Sequence, residues 1–302
     1  MKIKSKKIIK MMIALLLIIV CSNSEVQAKS SYIKIKKKCF VEATSYPYEN
    51  GDRYRYAQGI CCVGNKIFVA IRNDSGECKL RKYKLKSNGK CEFISQSGSL
   101  KLGHANSMTY CKKLGGIVVS TCENNNTTIN VVNVKDYSTK SIDVGMENYA
   151  VGYSEKLGLV IAKRKNGYRI VYRYSIDKNG NVERIDNSKI MIDKRAGFEP
   201  QGMCVYNDTI IFNQDKIDKK KTTADLNKYY EKNRFLIYKI EIEKDEKSNI
   251  ADKKRYSVKL DRELEDMCYN SKKKCFYICG NLNHGTRKMY IYKLKKSKLV
   301  SQ

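Results

Sequence analysis

The hydrophobic and polar positions of this chain alternate in many short runs. Compact runs rich in Val, Ile, Tyr and Phe recur along the chain, and several alternate apolar with polar residues, as in Tyr238-Lys239-Ile240-Glu241. Alternation with a period of two predicts β-strands that bury one face. We therefore expect an all-β protein.

A related short segment precedes each group of runs, and the chain contains five copies of it. One copy reads Asn-Ser-Met-Thr-Tyr from Asn106, and another reads Gln-Gly-Met-Cys-Val-Tyr from Gln201. The copies are about 43 to 64 residues apart, and each is followed by two β-branched runs and a weaker fourth one. Four-stranded units at this period are typical of β-propeller blades. The five copies begin at Gln58, Asn106, Tyr149, Gln201 and Glu265.

The last repeat stops after its third strand, near Leu294, so a closed ring needs one more strand. Tyr32–Ala43 precedes the first full repeat and alternates in part, which makes it the spare strand. We predict that this N-terminal strand completes the last blade and thereby removes a free sheet edge. The predicted fold is a five-bladed β-propeller of four-stranded blades, closed by the N-terminal strand.

The first 28 residues have the pattern of a secretory signal peptide. A lysine-rich start is followed by the unbroken apolar run Met11–Cys21 and by Val26-Gln27-Ala28 at the cleavage position. The run is about half the length that spans a bilayer, which disfavours an uncleaved anchor. We expect a signal peptide over 1–28 and a single propeller domain over 29–302.

The predicted signal peptide implies a secreted, extracellular protein, either released or associated with the cell wall. A lipoprotein anchored at Cys21 is an alternative that the large preceding Val20 disfavours. The formal net charge is +29, of which about +25 remains beyond residue 28. Such an excess suits an anionic setting such as a cell wall, a membrane surface or another polyanion. We expect a monomer with no nucleic-acid partner and no stable membrane insertion.

Equivalent positions of a closed ring converge on its axis, so the first residues of the five repeats are expected to meet there. We call Gln58, Asn106, Tyr149, Gln201 and Glu265 the ring residues. His104, Glu199, Glu263 and Asp266 are expected close by. Alternation then predicts a buried layer two residues further on, formed by Ile60, Met108, Val151, Met203 and Met267.

Polar residues at the mouth of a propeller channel commonly bind ligands. The ring residues together with His104 are therefore the predicted ligand-binding site. The alternative is that the amides only satisfy backbone groups of neighbouring blades. No spacing joins His104 or His284 to cysteines in a zinc pattern. We assign no catalytic residue and no cofactor, and calcium is the metal that the ring would accept.

The cysteines and one insertion leave alternatives open. Cys61, Cys204 and Cys268 fall at the same place in three repeats, which indicates a small buried position between blades. Because different blades should hold them too far apart to bridge, most cysteines are predicted to be thiols. A bond between Cys78 and Cys91 is an alternative. The segment 215–233 is interpreted as a solvated loop, or otherwise as a binding loop.

Two of the repeated segments also carry a resemblance. His104–Tyr110 (His-Ala-Asn-Ser-Met-Thr-Tyr) and Gln201–Tyr206 resemble blade openings of secreted five-bladed propellers of Gram-positive bacteria, which imply the fold but no settled activity. The architecture also looks like that of five-bladed glycosidases and sugar-binding lectins. Such glycosidases place acid and base carboxyls on inner strands of different blades, where this chain has Gln58, Asn106 and Gln201.

The expected function is a binding module for cell-wall or host glycans or other anionic surface polymers. The alternative is a hydrolase or metal-dependent enzyme, similar to a glycosidase or a phosphatase, that uses Glu199, Glu263 and Glu265. The amides in the ring favour a protein without catalysis.

Overall fold

The computed structural model describes residues 31–33, 36–42, 56–73, 75–86, 91–163, 170–192, 198–216, 233–258, 263–281 and 288–300, the first two ranges for their backbone only. The chain divides into two units, Met1–Ser31 and Tyr32–Gln302, and the fold below is that of the second. The predicted signal peptide, His284 and residues 217–232 of the predicted loop lie outside the described residues.

The described residues form β-strands and two short 3₁₀ helices, Asp186–Ser188 and Lys296–Lys298. No helix among them is long and apolar enough to cross a membrane. The strands are β1 (Ser31–Ile33), β2 (Lys36–Glu42), β3 (Tyr56–Val63), β4 (Lys66–Arg72), β5 (Cys78–Leu85), β6 (Cys91–Gln96), β7 (Met108–Cys111), β8 (Gly116–Ser120), β9 (Thr128–Val132), β10 (Thr139–Asp143), β11 (Asn148–Ser154), β12 (Gly158–Lys163), β13 (Ile170–Ile176), β14 (Val182–Arg184), β15 (Ile190–Met191), β16 (Glu199–Tyr206), β17 (Thr209–Asp215), β18 (Asn233–Ile242), β19 (Ser248–Val258), β20 (Glu263–Asn270), β21 (Cys275–Asn281) and β22 (Lys288–Lys295).

These strands form five antiparallel blades, as the repeats predict. The first four blades are β3–β6, β7–β10, β11–β14 and β16–β19, each in chain order, and the fifth is β20–β22 with β2 outside β22. Two short strands are added to this plan, because β15 pairs with β13 and β1 lies beside β19. The first strand of each blade contacts the first strands of the two neighbouring blades, from β3 round to β20 and back to β3. The fold is therefore a closed five-bladed β-propeller.

The N-terminal strand closes the last blade, which confirms the prediction. Strand β2 runs antiparallel to β22, with Lys36 opposite Lys293 and Glu42 opposite Lys288. Only part of the predicted Tyr32–Ala43 has this role, since β1 lies instead at the edge of the fourth blade. The backbone groups on the outer side of β22 are thus paired within the chain.

The core lies between facing blades. The predicted buried layer is confirmed, since Ile60, Met108, Val151, Met203 and Met267 are each at most 1% exposed. Larger side chains complete the layers further out, among them Phe212 and Tyr238, whose rings pack edge to face at 6.3 Å. Burial of each such side chain stabilises the fold by about 1.5–3 kcal/mol. The inter-blade layers are therefore the main source of stability.

The ten cysteines whose side chains the structure describes are free thiols, including Cys78 and Cys91. Cys61, Cys204 and Cys268 are buried at the inter-blade position that the repeats indicate. A cysteine outside this equivalent set does make a contact between blades, because the sulfur of Cys268 lies 3.1 Å from that of Cys62 on the first blade. The reason is that Cys62, one residue beyond the equivalent position, points towards the fifth blade.

Candidate functional site

The ring residues lie where the first strand of each blade is irregular. Four of the five ladders between first and second strands shift register at this point, which is the signature of a β-bulge. The shifts fall between Ala57 and Ile60, Asn148 and Ala150, Pro200 and Met203, and Leu264 and Asp266. In the second blade the ladder begins only at Met108, beyond Asn106. Bulges re-aim side chains and are common beside binding sites, so the same local feature sets four of the five positions.

The ring residues are more enclosed than the mouth of an open channel would make them. Gln58 and Asn106 are each 6% exposed, Glu265 is 5% and Tyr149 is 4%, whereas Gln201 is half-buried. A ligand at this position would therefore contact mostly buried polar atoms. That these residues bind a ligand stays a prediction.

The centre of the ring is filled by the side chains of Asp266 and Ser107. Oδ2 of Asp266 accepts hydrogen bonds from the backbone N–H groups of Ile60 and Met108, both at 3.0 Å. The Ser107 hydroxyl lies 3.3 Å from Oδ1 of Asp266, 3.0 Å from the carbonyl oxygen of Val151 and 3.2 Å from that of Met203. These two side chains thus connect the main chains of all five blades.

Small residues at the equivalent positions make room for this centre. Gly59 and Gly202 stand in the first and fourth blades where Asp266 stands in the fifth. A Cβ atom on Gly202 would lie 2.1 Å from Oδ1 of Asp266, and one on Gly59 would lie 2.4 Å from Cγ of Met108. Burial raises the pKa of Asp266, and the hydrogen bonds from Ile60 and Met108 oppose that rise. The sequence predicts Asp266 only to lie close to the ring residues. In the structure, its carboxyl group connects the first strands of the blades at the centre of the ring.

Asparagines outside the ring satisfy the backbone of neighbouring blades. Asn281, on β21, exchanges two hydrogen bonds with the main chain of Ala57, at 3.0 and 2.9 Å. Asn213, on β17, donates to the carbonyl oxygens of Leu264 and Glu265, both at 2.8 Å. Among the ring residues, Tyr149 has such a role, because its hydroxyl donates to the carbonyl of Pro200.

Carboxyl groups from two blades meet at Gln201. Its Nε2 lies 3.1 Å from Oδ1 of Asp215, on β17, and 3.2 Å from Oε1 of Glu263, on β20. Oε1 of Glu265 accepts a hydrogen bond from Nδ2 of Asn281 at 2.6 Å. We call Gln201, Asp215, Glu263 and Glu265 the carboxyl cluster. Nothing is described of the Glu199 side chain.

Burial changes the protonation of this cluster. It raises the pKa of Glu265 well above its ordinary value of 4.5, and the charges of Glu263 and Asp215 raise it further. The hydrogen bond from Asn281 opposes the rise. Glu265 therefore keeps its proton to a higher pH than an exposed glutamate and can act as a proton donor in the cluster.

The sequence does not predict Asp215 as a site residue, because the pattern of polar residues places it at the start of the loop 215–233. The structure instead makes it the last residue of β17, fully buried. A signal existed in the sequence, since Asn213-Gln214-Asp215 continues the register of the apolar run that begins at Thr209. Polar residues that extend a buried strand towards the ring can point to a site.

Two buried oxygen atoms in the ring have no hydrogen-bond partner among the described residues, Oε1 of Gln58 and Oδ1 of Asn106. An unsatisfied buried acceptor costs about 1–3 kcal/mol. Such atoms in a folded protein call for an explanation, such as a water molecule or a ligand that donates to them. Both are acceptors, so the missing partner is a donor.

His104 lies apart from the carboxyl cluster, at the junction of the first two blades. Its Nδ1 is 2.9 Å from Nη1 of Arg72, and its backbone N–H donates to the carbonyl of Thr121 at 2.7 Å. Within the described ranges, no three His, Cys, Asp or Glu side chains are grouped as metal ligands. Calcium binding stays a prediction.

No protein-family model matches this sequence, and no curated protein matches it. Solved structures do match. A bifunctional GH43-CE protein of Bacteroides eggerthii is 9% identical over 80% of this chain and 33% of its own, with a TM-score of 0.51. The allergen Mala s 1 of Malassezia sympodialis is 12% identical, over 84% and 82% of the two chains, with a TM-score of 0.46.

Hydrazine synthase of Kuenenia stuttgartiensis is 14% identical, with a TM-score of 0.39. The match covers 74% of this chain and 61% of the hydrazine synthase chain. This chain thus spans less than two thirds of that protein and about a third of the GH43-CE protein. At these identities the likeness concerns the fold alone, and the fold is that of a five-bladed β-propeller.

Proposed function

We propose that this propeller is a binding module for a hydroxyl-rich ligand, a cell-wall or host glycan, which contacts the ring residues. One observation carries the proposal: Oε1 of Gln58 and Oδ1 of Asn106 are buried acceptors without a donor among the described residues. A sugar hydroxyl, or a water molecule that bridges to one, is a donor that would satisfy both oxygens. Satisfying a buried acceptor contributes more than forming a hydrogen bond at an exposed one.

The carboxyl cluster supports a neutral ligand at the ring. Asp215 and Glu263 would repel an anion, and a sugar hydroxyl can donate to either of them. The net charge of +29 favours an anionic surface polymer as a second partner, and such a polymer would contact the basic exterior. We therefore expect the ring residues to bind a neutral glycan and the basic exterior to bind an anionic polymer.

A glycan array with residues 29–302 tests the proposal. Asn106→Leu, combined with Gln58→Leu, removes both acceptors while keeping similar volume. We expect binding to be lost and the melting temperature to stay the same or rise, since an apolar group replaces a buried polar group that has no partner.

Asn213→Leu is the matched control, because it makes the same change at an amide that donates two hydrogen bonds to the neighbouring blade. It should lower the free energy of unfolding by about 2 kcal/mol and leave binding by the folded protein intact. If the Asn106 and Gln58 variant unfolds like the Asn213 variant, or still binds, the ring residues are scaffold and the proposal is wrong.

A hydrolase is the second candidate, and the carboxyl cluster favours it. Glu265, with its raised pKa, has the property of a general acid, and Glu263 or Asp215 would act as base. Any glycan bound on the array becomes the substrate in an assay for new reducing ends. Hydrolysis that is lost in Glu265→Gln while binding is retained would support catalysis. Absence of hydrolysis by the natural sequence would leave the binding module as the remaining candidate function.

We also propose that the protein is secreted and that its mature form begins near Lys29. The basic, apolar and small-residue order of residues 1–28 supports this, as does the resemblance to secreted propellers of Gram-positive bacteria. N-terminal sequencing of protein from culture medium should find Lys29 or a close neighbour. A membrane-bound form lipidated at Cys21 would contradict the proposal.

A further inference from the structure

We propose that a cavity between the second and third blades binds a phosphate group of a polyol-phosphate polymer. The cavity has a volume of about 360 Å³ and lies where the first strands end, at the face opposite to the ring residues. Its charged side chains are Lys113, Lys140 and Lys178. The inference goes beyond the glycan site and does not depend on it.

Turns from two blades form the walls of this cavity. Lys113 lies in the turn from β7 to β8, and Lys178 lies in the turn from β13 to β14. The two turns meet, since a Cβ atom on Gly180 would lie 3.9 Å from Cδ2 of Leu114. Lys140 joins them from β10, opposite Val131. Three ammonium groups are thus brought to one concave surface by residues far apart in sequence.

The three lysines are exposed and have no anionic partner in the described part of the chain. None of Lys113, Lys140 and Lys178 forms a side-chain hydrogen bond or an ion pair there. The described residues that line the cavity include no carboxylate. The nearby Asp177 is occupied within its own turn, where Oδ1 accepts the N–H groups of Asn179 and Asn181 at 2.8 Å.

A second cavity, of about 260 Å³ between the fourth and fifth blades, gives a useful contrast. It is also lined by lysines, but Lys254 pairs with Asp252 at 3.1 Å and Lys296 donates to the hydroxyl of Tyr206 at 3.0 Å. The second cavity therefore carries carboxylates of its own, Asp208 and Asp252, and one of its lysines forms an ion pair with Asp252. The cavity of Lys113, Lys140 and Lys178, by contrast, has no carboxylate among its described lining residues, so an anionic ligand would supply the negative charge.

The chemistry of the lining selects the ligand class. Three positive charges around one concave surface, with no carboxylate in its lining, attract an anion. A phosphate group offers several charged acceptor oxygens to three ammonium groups, whereas a carboxylate offers only two. Leu114, Val131 and Ile142 form an apolar part of the lining, which suits the carbon atoms between successive phosphates.

Calorimetric titration of the full chain with poly(glycerol phosphate), glycerol 3-phosphate and inorganic phosphate tests the site. The variant Lys113→Ala/Lys140→Ala/Lys178→Ala removes the three charges of the cavity. The matched control, Lys66→Ala/Lys272→Ala/Lys273→Ala, removes three exposed charges, one from the start of β4 in the first blade and two from the turn between β20 and β21 in the fifth. We expect at least a tenfold loss of polymer affinity in the first variant and about a twofold loss in the control.

The two sources of phosphate give different results that both support the site. Loss of inorganic phosphate binding in the cavity variant would show that a single phosphate suffices, and loss of polymer binding alone would show that several repeats are needed. Equal losses in the cavity and control variants would overturn the proposal, because only net charge would then matter. Absence of binding by the natural sequence would also overturn it. Should the triple variant misfold, Lys178→Glu alone must still weaken binding more than Lys273→Glu.

Discussion

Ser107 of the second blade donates a hydrogen bond to Asp266 of the fifth blade across the centre of the ring, over 3.3 Å. Asp266 also accepts the N–H groups of Ile60 and Met108. A buried N–H group that loses its acceptor costs about 1–3 kcal/mol. The first strands are therefore held together by one carboxyl group as well as by apolar packing.

Asp266→Ala should destabilise the protein more than a surface substitution. It leaves the N–H groups of Ile60 and Met108 without their acceptor, so we expect the free energy of unfolding to fall by about 3 kcal/mol or more. Denaturant unfolding measures the change. Ser107→Ala should cost about 1 kcal/mol, since it removes one hydroxyl shared among several acceptors. Equal costs for the two variants would contradict a central role for Asp266.

Glu265→Gln should change how stability depends on pH. Because the pKa of Glu265 is raised in the folded protein, the unfolded chain releases this proton near the ordinary value of 4.5 while the folded chain keeps it. Its contribution to stability therefore falls as the pH rises from 4.5 towards the raised pKa, by at most about 1.4 kcal/mol per pH unit.

Glutamine does not titrate, so the variant should lose this slope and gain stability at neutral pH relative to the natural sequence. Thermal unfolding from pH 4.5 to pH 8 measures both effects. Glu183→Gln, at an exposed position of β14, is the control and should keep the slope. An identical slope in the Glu265 variant would show that this residue is ionised throughout the range.

Deletion of residues 29–43 should prevent the ring from closing. It removes β2 and leaves β22 as an unpaired edge with backbone N–H and C=O groups exposed. The loss should amount to several kcal/mol, comparable with the stability of a whole domain. Size-exclusion chromatography should show aggregated or unfolded protein. A soluble monomer with unchanged thermal unfolding would show that β2 contributes little.

Cys62 and Cys268 should form a disulfide when a disulfide oxidant such as oxidised glutathione is added. Their sulfurs are 3.1 Å apart on adjacent blades. The two thiols would lose two protons and two electrons, and glutathione disulfide would be reduced to two thiols. Burial raises the pKa of Cys268, so the half-buried Cys62 is the thiol that attacks first.

Peptide mapping should find the cross-link, and the free energy of unfolding should rise by about 2–4 kcal/mol. Cys62→Ser should abolish both effects, whereas Cys111→Ser should abolish neither. A cross-link that persists without Cys62 would mean that another pair reacts.

The sequence predicts the propeller because its signals are local and repeated. Alternation within one strand is sufficient to place Met108 and Met203 in the core. Closure by the N-terminal strand follows from counting strands. Both predictions need only the period of the chain and the rule that a sheet edge is paired.

The site depends on contacts between blades, and these are less visible in the sequence. The period makes Glu265 equivalent to Gln58, but it does not say where a residue in a bulge will point. It also does not reveal that Asp215, from a second strand, reaches Gln201 in the neighbouring strand of its blade. The contact between Cys62 and Cys268 was missed for the same reason, since it joins two repeats at positions one residue out of step.

Strand β2 also has a consequence for the order of folding. It precedes its partner β22 by about 250 residues, a separation that makes ring closure slow. Until β22 has been synthesised, β2 has no strand to pair with, and it cannot join the fifth blade. The complete propeller therefore cannot assemble before β22 has emerged, and its last folding step brings together two strands that are about 250 residues apart in the chain.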